Sequence, residues 1–359
     1  MAKRLNKILK FLNEHKLDAL LLKSKTMKRY IDTVTGGGCK VLFIKEKGYL
    51  ILDGRYITEA NDKEQDLEIR LLDIGQSYLE VVNELLEENH CTSLGVEMDQ
   101  ISIYEYEKLK KLNVDIRLYE DEISMIRIQK DEDEIATLKE AILLTDEIYK
   151  NVINRIHLGM TEYEISALLQ YYAISNGAQQ MSFDTIVATG ERTALPHGRP
   201  TSRRVKAHEP IMMDFGIQYK NYQSDMTRIC FIGKPTPEIE TIYNTVLEAN
   251  LAGIAAIKEG AVAKDVDVAA RKVVELAGYG EYFNHGLGHG IGVNNDCELP
   301  ILNGKSNIIL KDNMVMSCEP GIYVPNLGGI RIEDDVWIHD GIGIPLNSTT
   351  KDIIVLEEK

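Results

Sequence analysis

Residues 209–233, EPIMMDFGIQYKNYQSDMTRICFIG, form two strand-like apolar runs about a polar turn at 219–221, and each run carries one aspartate. Aspartate is disfavoured in strands, and like charges facing across a strand pair destabilise it. With the turn about the 219/220 bond, Asp214 and Asp225 face each other directly, their Cβ atoms roughly 5 Å apart on one face. Either both point to solvent at a sheet edge, or a cation sits between them.

A second pair follows downstream. In MVMSCEPGIYVPNLGGIRIEDDVWI (314–338), Glu319 ends an apolar strand just before Pro-Gly, and Glu333 is embedded in the apolar run 330–338. Strand alternation puts Arg331, Glu333 and Asp335 on one face. A turn about Asn326 sets Glu319 opposite Glu333. Between the two pairs lies NHGLGHGIG (284–292), with glycine at every second position from Gly286 to Gly292. His289, flanked by glycines, is the better ligand candidate of its two histidines.

Four carboxylates and one imidazole make a hard, oxygen-rich donor set, unlike the Cys and His of structural zinc sites. The set suits two divalent ions bridged by carboxylates, with Mn(II) favoured over Co(II) or Zn(II). Two ions about 3.5–4 Å apart can hold and deprotonate a bridging water. The chain has no HExxH, GxSxG or Walker motif to support competing chemistry.

The 359 residues suggest roughly two domains, and a 44% hydrophobic content supplies ordinary cores. The net charge of −15 argues against a nucleic-acid partner, which needs a basic face. Cys39, Cys91, Cys230, Cys297 and Cys318 are irregularly spaced and do not read as a disulfide framework. The N-terminus reads as an amphipathic helix running into a strand, not a signal peptide. No run reaches about 18 apolar residues, so no membrane span or membrane partner is expected, and the default compartment is the cytoplasm.

Residues 1–122 alternate helix-like and strand-like segments, an α/β pattern with strands at 19–22, 41–44, 49–52 and 93–97 and helices near 54–64 and 76–89. This part shows no phosphate loop and no ligand cluster, which suggests a packing, oligomerisation or substrate-gating role. The charged stretch 121–135 marks the boundary, and residues 123–359 form the second domain. There Asp131 to Glu134 open a long helix, Thr161 and Glu164 form a capping box, and Gly177 closes that helix. Residues 156–177 resemble 257–278 at an offset of 101, with Gly159 matching Gly260 and Gly177 matching Gly278. Two such units related by a pseudo-twofold place a site at their junction.

The segments SFDTIVATGERTALPHGRP (182–200), MDFG (213–216), SDMTR (224–228), HGLGHGIG (285–292), EPGIY (319–323) and GGIRIEDD (328–335) resemble, in order and spacing, the pita-bread metallopeptidases of the Xaa-Pro branch, aminopeptidase P and prolidase. DALLLKSKTMKRYIDTVTGG (18–37) and LILDGRYITEA (50–60) look like that family's creatinase-like N-terminal domain. The resemblance implies an α/β (α+β) chain with a pita-bread catalytic domain, hydrolysing Xaa-Pro peptides by a metal-bridging hydroxide, as a homodimer. It implies that Asp214 chelates one metal, that Asp225 and Glu333 bridge both, and that His289 and Glu319 complete the second. Glu319 would shuttle the proton, His197 would help stabilise the tetrahedral intermediate, and Arg331 would support the metal carboxylates.

One departure stands out. The family carries a second active-site His shortly after GHGIG, which contacts the scissile carbonyl. Here the segment 293–298 reads VNNDCE, and Asp296, or Cys297 with a one-residue insertion, takes that place. Prolidases also often set an Arg after the following Pro to bind the substrate carboxylate, and here Ile301 follows Pro300. Altered use of the site, on a different small substrate or with impaired peptidase activity, is the alternative expectation.

Overall fold

The apolar run at 19–22 lies at the heart of a sheet in the computed structural model, which describes residues 2–63, 66–294 and 297–357. The chain divides into two units, Met1–Arg127 and Ile128–Lys359. The first contains α1 (Ala2–Glu14), β1 (Ala19–Leu22), α2 (Lys25–Tyr30), β2 (Lys40–Ile44), β3 (Lys47–Leu52), α3 (Ile57–Asp62), β4 (Glu68–Leu71), α4 (Tyr78–Glu88), β5 (Ser93–Glu97), α5 (Ile103–Leu109), β6 (Asp115–Tyr119) and α6 (Asp121–Met125). The strands form one mixed sheet in the order β4-β3-β2-β1-β5-β6. β1 pairs antiparallel with β2 and parallel with β5, and all four of its residues are buried, as an unbroken ALLL run requires. α4 starts at a Ser77/Glu80 capping box and packs Val82, Leu85 and Leu86 into the core with Leu21, Leu42 and Ile51.

The second unit contains α7 (Glu132–Ile153), α8 (Glu162–Ser175), β7 (Gln180–Met181), β8 (Ile186–Thr189), β9 (Ile211–Phe215), β10 (Ile217–Tyr219), β11 (Tyr222–Gln223), β12 (Met226–Ile232), α9 (Pro237–Ala256), α10 (Ala263–Leu276), β13 (Gly288–Gly290), β14 (Glu298–Leu302), β15 (Val315–Cys318), β16 (Gly321–Val324), β17 (Gly328–Arg331), β18 (Asp334–His339), β19 (Ile342–Pro345) and β20 (Ile354–Leu356). The helix starts follow from their caps. Asp131 and Glu134 satisfy each other's backbone N–H at 2.9 Å, and Thr161 and Glu164 do the same at 3.2 and 2.7 Å. The repeat is visible in the backbone. Gly159 and Gly260 have φ of +79° and +80°, and Gly177 and Gly278 have +96° and +85°, so each copy brackets its helix with left-handed glycines.

Each copy has its own core. α7 and α8 pack Ile148, Val152, Ile165 and Leu169 with Met213 and Met226 against the sheet β20-β12-β9-β8. α9 and α10 pack Val246, Ala249, Val266 and Ala270 with Met316 and Val336 against β14-β13-β15-β18-β19. Buried Arg228 ties the two sheets together, donating to Asp334 Oδ1 at 2.6 Å and to the carbonyl of Glu333.

The register of the first hairpin departs from expectation. Gln218 pairs with Gln223 and Tyr219 with Tyr222, so the turn centres on Lys220 and Asn221, with φ of +47° and +72°. Two successive left-handed residues match the right-handed twist of the strands, which favours this tight two-residue turn. Asp214 therefore pairs with Thr227, and Asp225 lies one diagonal step away on the same face. Asp225 also sits in the break between β11 and β12.

Candidate metal centre and active site

Asp214 is the penultimate residue of β9, Asp225 occupies the β11–β12 break, and Glu333 occupies the break between β17 and β18. Each offers a carboxylate oxygen, and these oxygens lie within 4.8 Å of one another. All three residues are buried. Glu319 follows β15. The chain turns about Asn326, and the ladders to either side pair Cys318 with Asp334 and Gly321 with Arg331. That register leaves Glu319 facing Glu333.

His289 comes from β13, squeezed between β14 and β15. A Cβ on Gly288 or Gly290 would collide with the carbonyls of Ser317 or Leu299, so only glycine permits this approach. Nδ1 of His289 lies 3.0 Å from the Gly290 carbonyl, which makes it the donor. Nε2 is left 3.7 Å from Asp225 Oδ2 and 3.6 Å from Glu319 Oε1. His285 turns instead to the Tyr323 hydroxyl at 2.9 Å, and burial lowers its pKa.

Arg331, itself buried, organises this wall. It donates to Asp214 Oδ2, to Thr227 Oγ1 at 3.0 Å, to the Tyr323 hydroxyl at 2.6 Å and to the Pro196 carbonyl at 3.3 Å. Thr227 passes the constraint on, donating to Glu333 Oε2 at 2.6 Å. Asp335 holds the backbone N–H of Asp225 at 3.0 Å.

The electrostatics are those of a site short of positive charge. Burial pushes the pKa of Asp225 and Glu333 well up, and mutual repulsion with Asp214 and Glu319 adds to it. Burial also raises Asp214, against the pull of Arg331. Among the described residues, Asp214 Oδ1, Asp225 Oδ1 and Asp335 Oδ1 are buried without any hydrogen-bond partner. Buried carboxylate oxygens are rarely orphaned unless a cation takes their lone pairs. The residues present therefore fit divalent ions by number, hardness and charge.

These groups open onto a cavity of about 580 Å³, also lined by Phe183, His197, Cys297 and Ile301. His197 is exposed on the cavity wall, one residue beyond the carbonyl that Arg331 grips. Asn295 and Asp296 lie outside the described residues; Cys297 is exposed on the cavity wall. Ile301 presents an apolar surface there.

Three features were not singled out from the sequence. Gln223 is buried and lines the cavity, and among the described residues neither of its carboxamide atoms has a hydrogen-bond partner, while its backbone N–H donates to the Gly292 carbonyl at 2.7 Å. Its spacing of two from Asp225 was the available signal, because strand alternation puts both on one face. Glu298 accepts from the N–H groups of Val293 and Asn294 at 3.0 and 2.8 Å, and fixes the start of the divergent loop. Tyr323, in EPGIY, joins Arg331 to His285.

Among the described residues, no helix is long and apolar enough to cross a membrane. Comparison with known proteins follows this division of the chain. Residues 136–340 match metallopeptidase family M24, and residues 4–129 match the creatinase/prolidase N-terminal domain. The chain is 34% identical to the Xaa-Pro dipeptidase of Pyrococcus furiosus, over 99% of this chain and 100% of that one. Its structure resembles that of an Xaa-Pro dipeptidase from Bacillus anthracis with a TM-score of 0.94 and 32% identity, over 99% of both chains. It also resembles the X-Pro aminopeptidase of Thermotoga maritima, with a TM-score of 0.88 and 33% identity over 95% of this chain and 98% of that one.

Proposed function

The chain belongs to metallopeptidase family M24, and from that premise and the geometry above we propose that it hydrolyses Xaa-Pro peptide bonds with two divalent metal ions. One observation carries the reading: four carboxylates and the Nε2 of His289 converge on one wall of a cavity, and among the described residues buried carboxylate oxygens there have no partner. Asp214, Asp225, Glu319 and Glu333 against the single guanidinium of Arg331 leave more negative charge than one divalent ion neutralises. Two ions would balance the remaining charge together with one hydroxide.

In this reading Asp214, Asp225, His289, Glu319 and Glu333 would hold the two ions. Mn(II) is the metal the carboxylate-rich set favours, ahead of Co(II) and Zn(II). Such ions supply Lewis acidity toward the scissile carbonyl and acidify a bound water. The protein's own groups do the rest. Glu319, held by the Ser317 hydroxyl at 3.1 Å, takes a proton from the attacking water and delivers it to the leaving proline nitrogen. His197 donates to the developing oxyanion. The Gln223 carboxamide takes over the carbonyl contact for which the family uses a second His, since its N–H is a donor and a carboxylate at 296 is not. Arg331 keeps Asp214 and, through Thr227, Glu333 in place.

The names of the relatives support proline at the leaving side, and a homodimer working in the cytoplasm belongs to the same proposal. Ile301, standing where prolidases often carry an Arg for the substrate carboxylate, favours a second reading in which a different small substrate is turned over. One assay decides. Gly-Pro, Ala-Pro and a Xaa-Pro-Xaa peptide are offered with Mn(II), Co(II) or Zn(II), beside an Asp225→Asn control. Mn(II)-stimulated release at the Xaa-Pro bond, lost in the control, is expected. No turnover of any of the three by metal-loaded protein overturns the reading.

A further inference from the structure

Lys23, Lys25, Lys28 and Lys40 line a cavity of about 700 Å³ within the N-terminal unit, together with Gly36, Gly37, Tyr78 and Glu105. Two of these lysines are buried to an unusual degree: Lys28 is 2% and Lys40 9% exposed. Lysine is almost never this buried unless paired. Yet among the described residues neither has a carboxylate within ion-pair distance; the one acidic group lining the cavity, Glu105, is taken by Lys23 at 2.8 Å. Lys28 Nζ donates to the carbonyls of Gly36 and Cys39 at 3.0 and 3.1 Å. Lys40 Nζ donates to those of Gly37 and Cys39 at 2.6 and 3.4 Å. Lys23 Nζ uses its second donor on the Gln100 carbonyl at 2.7 Å.

Each of these three ammonium groups has three N–H donors and spends two on hydrogen bonds, while Lys23 and Lys40 also face the Tyr78 ring at 5.8 and 5.2 Å, a weaker partner than a charged group. Three unspent donors are thus left on groups that share one cavity, with a surplus of positive charge on a chain whose net charge is −15. Burial drives the pKa of Lys28 down to about 8, with repulsion from Lys40 next in size, and burial lowers Lys40 too. Carbonyls and a ring face compensate these cations only in part, and a buried charge without a counter-charge destabilises a fold. A carboxylate, with one charge and two oxygens, falls short of what the site offers; a phosphoryl group, with two charges and three terminal oxygens, matches it.

We infer that this cavity binds a phosphoryl group, carried by a small molecule or as free phosphate, independently of the metal centre. The site does not depend on the peptidase reading and stands or falls separately from it.

Calorimetric titration of the full-length protein with inorganic phosphate and with glycerol 3-phosphate tests it. Saturable one-to-one binding of either is expected, and the tighter of the two identifies the source. Affinity falls about tenfold or more for each ammonium removed in Lys28→Met and Lys40→Met. Both variants, freed of a buried charge, melt no lower than wild type without phosphate but lose the rise in melting temperature that phosphate gives wild type. Lys40→Gln is the milder companion should a Met variant misfold, and it too should bind more weakly. Asp225→Asn, which disables the metal centre, should bind as wild type does. The inference is overturned if NaCl at matched ionic strength stabilises equally, if the folded lysine variants bind unchanged, or if binding disappears with Asp225→Asn.

Discussion

Arg331 makes contacts that no other side chain could make together: a carboxylate, a hydroxyl that relays to a second carboxylate, a phenol and a carbonyl. Replacing it with Met leaves Asp214 buried without the cation it is paired with, and breaking such a pair is strongly destabilising, by about 3–5 kcal/mol. We therefore expect Arg331→Met to weaken Mn(II) binding and to lower kcat/KM by at least about 100-fold, while Arg331→Lys recovers only part of it, lacking the planar fork. Mn(II) titration followed by peptide assay separates the two effects. Gln223 gives the opposite signature. Its carboxamide makes no hydrogen bond among the described residues, so Gln223→Leu should melt no lower than wild type and bind metal normally. If the amide serves the scissile carbonyl, kcat should drop about 100–1000-fold; an unchanged kcat removes Gln223 from the reaction. The acids that cluster at this wall stood out in the sequence because acids are rare in apolar strands. Gln223 and Glu298 did not, because an uncharged or loop-adjacent polar residue breaks no rule until its surroundings are known.

At the level of elements, caps and glycines were legible because their chemistry is local. Asp131 and Thr161 announce α7 and α8 with their own side chains, and the two glycine pairs mark both copies of the repeat. The copies differ at the second helix's cap: α8 is capped by Thr161, whereas α10 is preceded by Val262, which makes no side-chain capping bond. Val262→Thr, nearly isosteric, should add about 0.5–1 kcal/mol, and Thr161→Ala should cost about 1 kcal/mol, both read from denaturant midpoints. Hairpin register was not legible, because a turn of Lys220 and Asn221 carries no Asn-Gly signal and the register depends on twist. Nor was the lysine cavity, whose charges come from the β1–α2 connection, α2 and β2, and meet only once the sheet has formed.

For the whole molecule, the consequence of gathering buried acids at one point is a pH response that depends on metal. In the metal-free protein, burial and mutual repulsion hold the pKa of Asp225, Glu333 and Asp335 well above the ordinary carboxylate value near 4. The folded state then binds more protons than the unfolded chain between that value and the raised ones. Stability must fall as pH rises through the interval. With divalent ions bound, the same carboxylates are held ionised and the folded state binds fewer protons than the unfolded chain. The slope reverses, and stability falls as pH drops toward the ordinary range and protons displace the metal. Melting temperatures measured from pH 4 to pH 8 in chelator and in Mn(II) should therefore diverge, with the metal-loaded protein gaining most at the alkaline end. The Asp225→Asn variant should flatten the chelator curve, because one of the repelling acids is gone. Parallel curves with and without metal would mean that these carboxylates share no cation, and the peptidase reading would lose its physical basis.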